Sequence, residues 1–245
     1  MDHDLDALLC ERYPAIFRDR HASMTETAMC WGFSCDNGWF ALIDTLCEEI
    51  QKHVTAQHVP PVIAMQVKEK FGGLRFYYRG GDEYIAALTW YADFLSSFVC
   101  ETCGAPAVRT RNERGWISTQ CEKHNGEDFP LDEPRAHERE EEGADADLLT
   151  LSAEQLAARA YADAFHLPQP AAMGWRHVVF ALEITLRNDF RYNGMPPVVV
   201  EAADESAALR YRWRSAGSRE RLAAMFRLAE AYSARCDRLT GQPYR

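Results

Sequence analysis

Four side chains between residues 100 and 124 carry the clearest chemistry in this sequence. Cys100-Glu101-Thr102-Cys103-Gly104 sets two thiols two residues apart, and Cys121-Glu122-Lys123-His124 adds a thiol and an imidazole after 17 intervening residues. Two residues between ligands let one tight turn aim both side chains at a single point. The glycine after the second cysteine lets the backbone close without a Cβ clash. Three thiolates and an imidazole form the tetrahedral set of a structural zinc site, with no position left open for water. Metal binding at such a site is folding free energy. A redox CxxC would leave the second pair unexplained. Between the pairs, Val108 to Thr119 holds a turn at Asn112–Gly115 between β-prone flanks, as a treble-clef or ribbon finger requires. The expected cofactor is zinc, in a structural role.

Other chemistry is sparse. Cys10, Cys30, Cys35, Cys47 and Cys236 have no ligand spacing and read as small buried apolar side chains. There is no nucleotide-binding glycine loop, HExxH or GxSxG. Phe71-Gly72-Gly73 is too short for a phosphate cradle, and Gly80-Gly81-Asp82 reads as a turn with Asp82 capping a helix. His53 and His58 are expected to be solvated, and His177 to be a satisfied or exposed helix residue. No catalytic residue is nominated; an enzyme acting between the two halves is the least supported reading.

The elements that position the finger show in an internal likeness. At an offset of 136, Gly38-Trp39 falls on Gly174-Trp175, Pro60-Pro61-Val62 on Pro196-Pro197-Val198, and Cys100 on Cys236. With one residue of slippage, Leu74-Arg75-Phe76 meets Leu209-Arg210-Tyr211. Each copy reads as helix, β segment, alternating strand, helix. Trp39, Leu42, Ile43, Leu46, Cys47 and Ile50 keep helical spacing, as do Val178, Val179, Leu182 and Leu186. The expected fold is α+β: two related α-β-β-α modules with small antiparallel sheets, the first followed by the finger. The first module spans 1–124 with the finger at 100–124. An acidic linker spans 125–147, and a degenerate copy without zinc ligands spans 148–245.

The net charge of −10 is concentrated in that linker, where residues 125–147 hold 2 Lys+Arg against 10 Asp+Glu. Residues 148–245, with 13 against 10, carry +3. In the alternating strands, Arg75, Tyr77 and Arg79 share one face of the first copy, and Arg210, Arg212 and Arg214 one face of the second. These six are the candidate binding surface. No apolar run is long enough to span a bilayer, and the N-terminus is acidic where an export signal would be basic. A cytoplasmic protein is expected.

Residues 11–124 also resemble a known family. Glu11-Arg12-Tyr13-Pro14-Ala15-Ile16-Phe17, Met29-Cys30-Trp31-Gly32, Asp36-Asn37-Gly38-Trp39 and Gln66 to Tyr78 occur in order, followed by the CxxCG, Gly115-Trp116-Ile117 and CxxH. Together they resemble a family of uncharacterised phage and prophage proteins. The resemblance implies no activity. The expectation is a non-enzymatic binder of another protein, in the manner of an inhibitor or immunity factor, for which a basic target would suit the acidic total. A nucleic-acid-associated regulator using the arginine strand and the finger is the alternative.

Overall fold

Apolar residues at helical spacing set the frame. In the computed structural model, which describes residues 1–126, 129–130, 152–204, 208–217 and 219–244, helix α2 (Phe40–Gln57) buries Leu42, Ile43, Leu46, Cys47 and Ile50. Helix α5 (Arg176–Asn193) buries Val178, Val179, Leu182, Leu186 and Phe190 in the same manner. Both helices end in a left-handed residue, His58 and Gly194, ahead of a Pro-Pro pair that prevents continuation.

A β hairpin follows each. Strands β1 (Ile63–Lys70) and β2 (Gly73–Arg79) pair antiparallel with a bulge between Ala64 and Gln66. Within the 100–124 segment lie β3 (Val108–Arg111) and β4 (Ile117–Gln120), and β5 (Phe129–Pro130) follows it. In the second half, β6 (Val198–Asp204) and β7 (Arg210–Ser215) pair antiparallel with a bulge between Val200 and Ala202. Helix α3 (Glu83–Ser96) closes the first unit, its N-terminus capped by Asp82 accepting from Ile85 N at 3.1 Å. Helix α6 (Arg219–Ser233) closes the second. Outside these units lie α1 (His3–Arg12) and α4 (Ala153–Ala164), the latter packed on α5 and not anticipated from the sequence.

The two halves repeat one another's hydrogen bonds. Trp39 Nε1 donates to Val99 O at 2.8 Å, and Trp175 Nε1 to Cys236 O at 3.3 Å. Leu74 N donates to Ser96 Oγ at 2.8 Å, and Leu209 N to Ser233 Oγ at 2.9 Å. These bonds correct one expected pairing. Gly104 N donates to Cys100 O as Gly241 N does to Asp237 O, so Asp237, rather than Cys236, stands opposite Cys100.

The halves share one core. Helix α2 packs on α6 and α5 on α3, so each half's first helix meets the other's second, and α3 lies along α6. Buried apolar residues of both halves form a single cluster. Tyr91 Oη donates to Val178 O across the junction at 2.9 Å. Charged groups reinforce it: buried Glu49 takes Arg227 Nε at 2.7 Å, and buried Asp44 takes Arg12 Nη1 at 2.9 Å, Tyr13 Oη and Arg235. Pairing keeps these carboxylates tolerable inside a low-dielectric core. Of the expected linker, Asn125–Gly126 turns back on Cys121, and β5 pairs with β3; 127–128 and 131–147 lie outside the described residues. Among the described residues, no helix is long and apolar enough to cross a membrane.

Candidate metal centre

The first cysteine pair sits on a knuckle closed by backbone bonds: Cys100 N donates to Ala105 O and Gly104 N to Cys100 O, both at 2.8 Å. Gly104 takes φ +83°, a left-handed conformation that disfavours any side chain. The knuckle is pressed against Gly38, where an added Cβ would lie 2.2 Å from Cys100 O. Gly38 N donates to Glu101 O at 2.7 Å. The β3–β4 hairpin carries the chain out and back, and Cys121–His124 forms one tight turn in which His124 N donates to Cys121 O at 2.8 Å. The finger is anchored to the β1–β2 turn by Thr119 Oγ1 donating to Gly72 O at 2.5 Å and by Arg109 donating to Phe71 O.

The four ligand atoms converge, all within 4.8 Å of one another. Cys103 Sγ lies 3.8 Å from Cys121 Sγ. His124 Nδ1 lies 3.3 Å from Cys121 Sγ and 3.5 Å from Cys100 Sγ. A tetrahedral ion with metal–sulfur bonds of about 2.3 Å and metal–nitrogen bonds of about 2.0–2.1 Å separates sulfur from sulfur by about 3.8 Å and sulfur from nitrogen by about 3.6 Å. No disulfide joins any of these cysteines. Burial, then the neighbouring Cys100 and Cys121 sulfurs, push the Cys103 thiol up to about 11, while at Cys121 burial is outweighed by hydrogen bonds from the Lys123 backbone and the neighbouring sulfurs, which lower that thiol. Three sulfurs this close ionise together only around a cation. The four residues are therefore close enough to hold a metal ion, and their donor set and spacing fit a tetrahedral one.

Asp237 occupies the place of Cys100 in the second knuckle. Its Oδ1 accepts from Leu239 N at 3.0 Å, Thr240 N at 2.8 Å and Thr240 Oγ1 at 2.9 Å, so a side-chain-capped turn holds the loop. Gly174 makes the close approach that Gly38 makes, with an added Cβ 2.4 Å from Asp237 O. The two knuckles also meet. Gln242 Nε2 donates to Cys103 O, and the Gly241 Cα faces Pro106.

The six surface candidates part company. Arg75 is bound to Asp93, and Arg79 Nη2 donates to Asp19 Oδ2 at 2.8 Å, while Tyr77 is half exposed beneath Lys68. Arg210, Arg212 and Arg214 are exposed along one face of β7, with Leu209 and Tyr211 buried on the other. His53 is not simply solvated: its Nε2 lies 2.8 Å from Asp82 Oδ2 and its ring stacks on Tyr84. His177 is neither satisfied nor exposed; both ring nitrogens are buried without a hydrogen-bond partner, edge-on to Tyr232.

One feature of the finger escaped the sequence reading. Trp116, at the hairpin tip, is 67% exposed, yet its backbone is pinned: Asn112 Oδ1 accepts from Trp116 N at 2.9 Å and from Arg114 N at 3.0 Å. Phe71, on the β1–β2 turn that anchors the finger, is 61% exposed. The Asn-Glu-Arg-Gly-Trp run was the available signal, a turn that ends on an aromatic residue. An open hollow of about 510 Å³ beside the second knuckle is lined by Ala171, Ala172, Asp237, Arg238, Leu239 and Tyr244. No protein-family model, curated protein or solved structure matches this chain.

Proposed function

We propose that this protein is a non-enzymatic, protein-binding factor built from two copies of one α-β-β-α module, the first clamped by a structural zinc ion in a treble-clef-type finger. Cys100, Cys103, Cys121 and His124 hold the zinc, and Asp237 replaces it in the second copy. The duplication reading is supported by the paired tryptophan, serine and knuckle hydrogen bonds. The observation that carries the binding reading is Trp116, an exposed indole on a backbone fixed at the tip of a hairpin. Rigid exposed aromatics are the residues on which protein interfaces concentrate their energy. The resemblance of residues 11–124 to phage and prophage proteins supports a factor of the inhibitor or immunity type, and the acidic total charge supports a basic protein as its partner. The test is affinity capture from bacterial lysate with the zinc-loaded chain and with Trp116→Ala. A stoichiometric protein retained by the first and lost by the second is expected. No retained protein, or equal retention by both, refutes the reading.

A second reading has its own observation. Lys70 sits 5.3 Å over the Phe71 ring and Lys68 5.7 Å over Tyr77, so cations and exposed aromatics alternate beside the finger. Such surfaces stack single-stranded nucleic acid. A gel shift with a single-stranded oligonucleotide at about 50 mM salt, abolished near 200 mM, would favour it.

A further inference from the structure

Cys100 has a neighbour that is not itself a ligand. Its Sγ lies 3.8 Å from Oε1 of Gln120, the last residue of β4, and the same oxygen lies 3.3 Å from Thr102 Oγ1. The backbone fixes this carboxamide in place. Glu101 N donates to Thr119 O at 3.0 Å, which docks the end of β4 on the knuckle. Thr119 is buried, and its hydroxyl donates to Gly72 O at 2.5 Å. Side chains alternate along a strand, so Gln120 leaves on the opposite side, towards the ligand atoms. Val108 opposes Gln120 in the β3–β4 ladder and completes the frame.

A thiol at Cys100 donates its S–H to that oxygen. A metal-bound sulfur is a thiolate, which can only accept. An amide oxygen facing it then sets lone pair against lone pair. The carboxamide relieves this by a half-turn of its last torsion, which exchanges Oε1 for Nε2 in the same place. Nε2 carries two hydrogens. One reaches Cys100 Sγ, and the other reaches Thr102 Oγ1, whose hydroxyl accepts as readily as it donates. Both neighbours of the oxygen thus become partners of the nitrogen.

The other two sulfurs have donors of their own. The Ala105 backbone N–H serves Cys103, and those of Lys123 and His124 serve Cys121. Backbone donors come with the fold. The donor to Cys100 depends on the residue at position 120.

From this geometry, resting on the zinc reading above, we infer that Gln120 is a positioning residue of the metal centre, its side-chain amide donating through Nε2 to the Cys100 thiolate and to Thr102. The bond orients the sulfur and spreads part of its charge, so the ion is held more tightly. A glutamate at 120 has the same shape but only acceptor oxygens, and its charge faces three thiolates.

The test measures zinc affinity of the full chain by competition with a chromophoric chelator at neutral pH, for wild type, Gln120→Glu and Gln120→Leu. Losing the partner of a metal ligand typically costs about 10–100-fold in affinity, and such a loss is expected in both variants, larger for Gln120→Glu. Cobalt in place of zinc reports the bond itself. Without the N–H donor the sulfur electrons rise in energy, so the thiolate-to-cobalt absorption band should move to longer wavelength in both variants. Wild-type affinity in both, or weakened affinity with the band unmoved, overturns the proposal. Should Gln120→Glu fail to fold, Gln120→Leu decides alone by the same two readouts. A wild type that takes up no zinc sinks the zinc reading and this inference with it. A wild type that binds zinc, with both variants indistinguishable from it, sinks this inference only.

Discussion

Acid should unfold this protein partly through one histidine. His177 lies in the first turn of α5, its two ring nitrogens unpaired between Tyr232 and the second knuckle. Burial depresses its pKa from 6.5 to about 4. A histidine depressed by folding binds its proton more readily in the unfolded chain, so its stabilising contribution is intact above pH 6.5 and is lost as pH falls towards 4. With those two values, linkage assigns a loss of about 2 kcal/mol between pH 7 and pH 5, and about 3 kcal/mol in all. His177→Leu removes the titration and two unpaired buried nitrogens while keeping the volume filled. Urea unfolding of both proteins at pH 7 and pH 5 measures the effect, and other acid-sensitive groups, the metal ligands included, cancel between them. The wild type should lose about 2 kcal/mol more than the variant on acidification, and the variant should be no less stable at pH 7. Equal losses in the two proteins would refute the reasoning.

Further expectations concern the knuckles and the junction. Gly38→Ala and Gly174→Ala each drive a Cβ to within 2.2 Å and 2.4 Å of a backbone oxygen, and should destabilise by about 2–4 kcal/mol in thermal unfolding. Arg235→Ala strips buried Asp44 of one cation but leaves it Arg12 and Tyr13, so about 2 kcal/mol should be lost by urea titration, less than for a fully stranded buried charge. Asp237→Ala should lower the melting temperature without changing metal content, because it loosens only the second knuckle. Cys121→Ser should abolish stoichiometric metal binding and lower the melting temperature together, read by elemental analysis and calorimetry.

The candidate ligands were legible because a tetrahedral metal site imposes spacing on a sequence: two short pairs and a glycine suffice. Likewise the Gly-Trp and Pro-Pro signals marked where helices begin and end, since those residues answer to local backbone geometry. Relations between distant residues left no such trace. Arg75 and Arg79 read as an open stripe because Asp93 and Asp19, 18 and 60 residues away, pair with them only once folded. Cys236 was set opposite Cys100 by residue identity, whereas the backbone bonds of the knuckle select Asp237, one place on. Burial of an unpaired His177 runs against polar satisfaction, and helical spacing alone does not reveal it. Helix α4 is rich in alanine, with Leu156 and Tyr161 its only large apolar residues, so it has few of the bulky positions that marked α2 and α5.

X-ray absorption at the zinc edge, on the protein as purified, tests the central claim most directly. It should report one zinc per chain in a shell of three sulfurs near about 2.3 Å and one nitrogen near about 2.0–2.1 Å. A folded chain that lacks zinc, or a shell dominated by oxygen, would contradict the account.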